Sequence, residues 1–313
     1  MVDPIILLNS VILLFLFLIP GYFLKKFNLI GESFAGGISN LILYALQPAM
    51  IVRSFAYDYN PRAAVNILWS FVFSALSIGA FYLITNLFFG SCPERKRKVL
   101  RYSVVFSNAG YMGMPLVTAV CGPEAAICVS AYIISFNVYA WSIGCLIYTG
   151  DKKYISVKKI LINPATVPTY IGLLIFFLPI NGYIPEIVIG AMDALKEMVA
   201  PMSMILVGIK LAEVKFKGTF RDGALWLNMA LRLAVMPVVA FLIIKAAVLL
   251  GAKIDPVVPA VTLICAATPA ASATCIFAEK FNEDSVYAGK IVSISTLISV
   301  VTMPLAVLLL KIL

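Results

Sequence analysis

The run SNAGYMGMPLVTAVCG (Ser107–Gly122) puts the hydroxyl of Ser107, the amide of Asn108 and the helix breakers Gly110, Gly113 and Pro115 into one uncharged stretch, Tyr102–Pro123. A second run, ATPAASAT (Ala267–Thr274), does the same in the other half of the chain, with Thr268, Pro269, Ala270, Ser272 and Thr274. These residues lack the nucleophile, base and metal-ligand sets of catalysis, so their chemistry is that of binding. A helix broken at such a place frees backbone N–H groups and exposes the positive end of the half-helix that follows, which favours an anion. The Asn108 amide and the hydroxyls of Ser107, Thr268, Ser272 and Thr274 add donors, and Gly110 and Tyr111 sit where a pocket would be lined.

The elements that position these residues follow from composition. The chain has 313 residues, 62% hydrophobic and 12% charged. No water-soluble fold of this size hides so much apolar surface, so the chain reads as an all-α integral membrane protein. Uncharged runs of bilayer length are Ile5–Leu24, Ser33–Val52, Ala63–Ser91, Tyr102–Pro123, Ala125–Gly150, Ile160–Pro185, Pro256–Ala278 and Ile291–Leu310. Two further spans, near Pro185–Leu211 and Gly223–Leu250, are interrupted by charge, which makes ten transmembrane helices. Ile5–Leu24 has no basic leading region and no A-x-A cleavage site, so it reads as a first span rather than a signal peptide.

With the first residue placed outside, the inner loops collect most of the lysines and arginines, including the cluster Arg95–Arg101. The outer side holds only Arg53, Arg62, Lys245, Lys253 and Lys311. The positive-inside rule then sets both termini outside, in a multi-pass protein of the cell (inner or plasma) membrane. Each half holds five spans, an odd number, so residues 1–150 and 151–313 form two inverted five-helix repeats. LQPAMIVRSF around Pro48 is echoed by VAPMSMILVG around Pro201, and helices 4 and 9 are both interrupted near their middles. Irregular backbone survives at membrane depth only where protein buries it or a cavity runs beside it. A pair of interrupted helices at matching positions points to a carrier site.

At these residues the chain resembles the auxin efflux carrier family, whose members include plant PIN proteins and bacterial carriers. The similarity lies in Gly21–Ile51, SNAGYMGMPL, Pro201–Ala212 and TPAASATCIFAEKFN (Thr268–Asn282), in colinear order over nearly the whole chain. The resemblance implies crossover helices 4 and 9 in a core (helices 3, 4, 5, 8, 9 and 10) that moves against a scaffold (helices 1, 2, 6 and 7), a plan similar to that of bile acid symporters. It also implies organic anion substrates and places Asn108 on the family's crossover asparagine. Ser107 stands where plant members have proline, and Ala270 and Ala271 replace a larger pair. The first departure leaves the exact break point of helix 4 open, and the second tells against an aromatic, auxin-like substrate. The substrate-binding set expected is Ser107, Asn108, Gly110, Tyr111, Thr268, Pro269, Ala270 and Ser272.

Ionisable groups inside the membrane are functional candidates by default. Asp193 and Glu197 share a helical face with Lys196 beside them. They read either as a proton or sodium site that couples transport or as an ion cluster near the interface. Arg232, with Pro237 after it, reads as charge balance for a substrate carboxylate or as a structural ion. Gln47 and Asn137 read as helix–helix hydrogen bonds.

The expectation is a secondary transporter that moves a small organic anion by elevator-type alternating access. The alternative is a sodium- or proton-coupled organic acid symporter, and a more remote one is a non-transporting sensor. With no histidine and no cysteine pair of C-x-x-C type, a metal site or an intramembrane enzyme is not expected. The six cysteines read as reduced apolar residues. No cofactor is expected beyond a coupling proton or sodium ion. The basic residues lie in loops that meet anionic lipid, so the partners are the substrate anion and the bilayer, not nucleic acid. A homodimer stays open as an oligomeric state.

Overall fold

A computed structural model describes residues 4–313 apart from 32, 152, 154, 156, 165, 179 and 215–220. The described residues form helices and connecting turns, with one isolated β-bridge. Six helices are long and apolar enough to cross a bilayer: α1 (Leu8–Lys26), α2 (Phe34–Phe55), α3 (Pro61–Thr85), α6 (Pro123–Thr149), α9 (Gly223–Leu249) and α12 (Ser285–Ile312). Between them lie α4 (Glu94–Val105), α5 (Ala109–Cys121), α7 (Thr166–Phe177), α8 (Glu186–Glu213), α10 (Val257–Ala267) and α11 (Ala273–Lys280). The chain is interrupted between α4 and α5 and between α10 and α11, and the expected helix breakers Gly110, Gly113 and Pro115 lie inside α5 rather than at the first interruption.

Proline shapes the backbone around the site in a repeated way. In α2, α5 and α9, the residue just before Pro48, Pro115 and Pro237 donates its N–H five residues back: Gln47 to Ile42, Met114 to Ala109 and Met236 to Leu231. Proline lacks an N–H and its ring crowds the carbonyl four residues earlier, so the chain widens into a π-turn that satisfies the carbonyl five back instead. These turns present Gln47, Tyr111 and Arg232.

α8 lies along α1 and α2, and α7 packs on the C-terminal half of α2. The α1–α8 contact is backbone against backbone. A Cβ on Gly21 would stand 2.0 Å from the Ile205 carbonyl oxygen, and one on Gly208 would stand 2.1 Å from that of Leu18. Only glycine permits that approach, the usual device of helix pairs in lipid.

Ion pairs fasten the ends of the other helices. Glu283, before α12, takes Lys98 at 2.9 Å and Arg95 at 3.4 Å. Asp222, the N-cap of α9, takes Lys96 at 2.8 Å and the Tyr287 hydroxyl at 3.0 Å. At the other end Asp255 accepts from Arg62 and, at 3.2 Å, from Asn66. Burial opposes the charge on Asp222, but Lys96, the Leu225 N–H and Tyr287 outweigh it and hold the carboxyl below its usual range. A depressed carboxylate contributes stability above the unfolded value of about 4, and loses it as pH falls through the folded value. Asp222→Asn should therefore lower the melting temperature by a few degrees at neutral pH. The gap to wild type should close on acidification, as thermal scans across the acid range would show.

Candidate functional site

The two breaks meet. Phe106 leaves α4 in extended conformation, and Thr268, held there by the proline after it, leaves α10 the same way. Ser107 and Ala270 form an antiparallel bridge. Asn108 N–H donates to the Pro269 carbonyl at 2.8 Å, and Ala271 N–H donates to the Phe106 carbonyl at 2.9 Å. Ala270 N–H reaches the Ser295 hydroxyl of α12 at 3.2 Å. Each break thus satisfies the other's orphaned backbone, as hydrocarbon surroundings demand. This corrects the expectation that these amides stand bare: three of them are spent within the protein.

What stays open is side-chain chemistry. Asn108 Nδ2 and the Ser272 and Thr274 hydroxyls are buried without a hydrogen-bond partner, and so is Asn137 Nδ2 of α6. A cavity of about 390 Å³ adjoins the crossing, a size suited to a small ligand. Of the residues expected at the site, Ser107, Asn108, Gly110, Tyr111 and Ser272 line it. Thr268, Pro269 and Ala270 do not, and Ala271 and Ala273 stand in their place. The Thr268 hydroxyl turns back to the Cys265 carbonyl at 2.8 Å. Gln47, whose Oε1 accepts from Tyr111 at 3.4 Å, and Asn137 complete the polar wall. Phe136, Trp141 and Lys280 were not foreseen. Lys280 lies 4.2 Å over the Trp141 ring at the mouth, on the side of the basic loops. No aspartate or glutamate lines this cavity among the described residues. A second cavity, about 690 Å³, shares Tyr111, Ser272 and Ile276 with the first and runs out between Lys210, Glu213, Glu279 and Lys290.

Arg232 is fully buried and lines neither cavity. It donates through Nη1 to the Val104 carbonyl at 2.8 Å and through Nη2 to the Ala266 carbonyl. One turn earlier, Asn228 donates to the Leu100 carbonyl at 2.8 Å and to the Ser103 hydroxyl at 2.9 Å. The guanidinium therefore sits against the last turns of α4 and α10, with the Phe81 ring 5.6 Å away.

The sequence profile of a family described as membrane transport protein matches residues 6–307, almost the whole chain. The chain belongs to that family. It is the auxin efflux carrier family whose motifs the sequence carries, so the protein is a multi-pass membrane transporter. A similar curated protein is the uncharacterized transporter MJ1031 of Methanocaldococcus jannaschii, 22% identical over 244 residues, 75% of this chain and 78% of that one.

The remaining charged candidates of this transporter lie elsewhere. Asp193 pairs with Arg53 of α2 at 2.9 Å and with Lys196 at 3.8 Å, and its side chain keeps 37% of its exposure. Neither Asp193, Lys196 nor Glu197 lines the two cavities at the crossing. An ion pair this exposed contributes about 1 kcal/mol at most. Asp193→Asn is expected to keep the wild-type pH and sodium dependence of flux, with at most a small loss in melting temperature. Liposome flux at varied pH and sodium checks it, and a changed dependence would make Asp193 a coupling group.

Proposed function

We propose that the transporter is a secondary carrier for a small organic anion, a carboxylate, that binds at the crossing of the broken helices. The observation that carries this reading is the cavity wall. It offers the unpartnered donors Asn108 Nδ2 and Ser272 Oγ, a lysine at its mouth and, among the described residues, no carboxylate, while a buried arginine lies behind it. A cation would find no acidic ligand there, whereas a carboxylate would meet donors that lack acceptors.

In this reading the ten spans form two inverted repeats, residues 1–150 and 151–313. Helices α1, α2, α7 and α8 make the scaffold, and the others, with both broken helices, make the moving core. With both termini outside the cell membrane, the two cavities open inward, and an elevator-like shift of the core carries the site to the other face. The small residues Ala271 and Ala273 beside Ser272 favour a compact aliphatic acid over an aromatic one. Thermal-shift screening of purified protein against mono- and dicarboxylates, followed by liposome flux of those that stabilise it, tests the assignment. Stabilisation by aliphatic carboxylates and saturable flux are expected. Stabilisation by cationic or neutral solutes alone would overturn it.

A further inference from the structure

Among the described residues Arg232 is the one fully buried charged side chain, and its acceptors are not carboxylates but the Val104 and Ala266 carbonyls. These two carbonyls belong to the last turns of α4 and α10, the half-helices that end at the crossing. Each helix C-terminus carries about half a negative elementary charge, so two facing one place call for about one positive charge. In carriers built from broken helices, unwound carbonyls and half-helix C-terminal ends are where a coupling sodium ion is held. Here a guanidinium occupies that position.

We propose that Arg232 is a built-in substitute for the coupling cation. It fills the place between the ends of α4 and α10 where sodium would bind, and so fixes a permanent positive charge behind the anion site. The inference rests on the anion-carrier reading and deepens it, because it specifies transport without a cation partner. Three features support a fixed rather than a titrating or exchanging charge. Arginine stays protonated throughout the physiological range. Its guanidinium is held by two carbonyls and faces Phe81, and Asn228 anchors the same helix to α4 one turn away. The π-turn Leu231–Val235, set by Pro237, locks the direction in which the side chain leaves α9. The carboxylates nearest in role, Asp193 and Glu197, line neither cavity, and Glu213 of the second cavity is paired with Lys210 at 3.1 Å.

The test reads cations rather than substrate. Purified wild-type protein should melt at the same temperature in sodium as in choline chloride of matched ionic strength, and should show no saturable binding of radiolabelled sodium. Arg232→Ala opens a space walled by two carbonyls. It should melt lower than wild type, and sodium or methylguanidinium should restore at least half of the lost melting temperature while choline restores none. Arg232→Lys should remain folded and indifferent to sodium. Saturable sodium binding by wild type, or a folded Arg232→Ala that no small cation stabilises, would overturn the inference. Should Arg232→Ala not accumulate, wild type and Arg232→Lys decide it: sodium-indifferent proteins support the substitution and sodium-saturable ones refute it. Failure here would leave the anion-carrier reading standing, since that is judged by carboxylate stabilisation and flux.

Discussion

Asn108→Ala should reduce carboxylate flux by about 10- to 100-fold while leaving the melting temperature unchanged or slightly raised. The asymmetry follows from the geometry. Nδ2 of Asn108 is buried and has no partner in the protein, so its removal costs no intramolecular hydrogen bond and relieves an unsatisfied polar group. The backbone at this position, φ −79° and ψ 45°, has negative φ and suits alanine as well as asparagine. The bonds that hold the crossing run through main-chain atoms, Asn108 N–H to Pro269 and Ala271 N–H to Phe106, and survive the change. What the variant loses is a donor to a charged ligand, a bond of about 1.5–3 kcal/mol, which converts to the stated range in affinity. Flux from carboxylate-loaded liposomes, paired with thermal melts, separates the cases. Wild-type flux would remove Asn108 from the site, and a collapsed melting temperature would make it structural.

How far the site was legible depends on whether its determinants are local. The break at Thr268 was legible, because Pro269 acts on the residue before it, whereas Gly110, Gly113 and Pro115 lie inside α5 and the chain leaves α4 before them, at Phe106. The mutual bridging of the two breaks was not. The pairing of Phe106 and Asn108 with Pro269 and Ala271 uses peptide groups, which every residue carries, so no side chain marks it. The same blindness hid the role of Arg232. Its position inside a span flagged it, but its acceptors are carbonyls of Val104 and Ala266, and a carbonyl acceptor leaves no trace in residue type. Lys280 reads as an ordinary loop lysine until Trp141, on a helix far away in sequence, is seen beneath it. Thr268 shows the opposite failure. A hydroxyl beside a break suggests a ligand donor, yet this one donates to the carbonyl of Cys265, three residues back, at 2.8 Å. The apolar helices were the most legible feature, since a bilayer imposes length and apolarity on each span separately, and six helices among the described residues are long and apolar enough to cross one.

A disulfide between Ser54→Cys and Ser130→Cys should all but abolish flux, and a reductant should restore it. Moving along α2 past Gln47, or back along α6 from Ile133, the chain enters a region where Met50, Ile51 and Phe55 meet Ala126 and Val129, all buried. In its midst the Ser54 and Ser130 hydroxyls stand 2.5 Å apart, both sealed from solvent. α2 belongs to the proposed scaffold and α6 to the proposed core, so the two bodies touch here. Alternating access requires the contact to part each time the site turns outward, and a covalent link forbids it. The native cysteines set the controls. Cys128 is buried two residues from Ser130, so each single variant must be oxidised alongside the double one, and neither alone should lose flux. The reduced double variant should transport normally, because serine and cysteine differ little in size. If the oxidised protein is fully cross-linked and still transports at the wild-type rate, α2 and α6 move as one unit, and the boundary between the moving and fixed parts lies elsewhere.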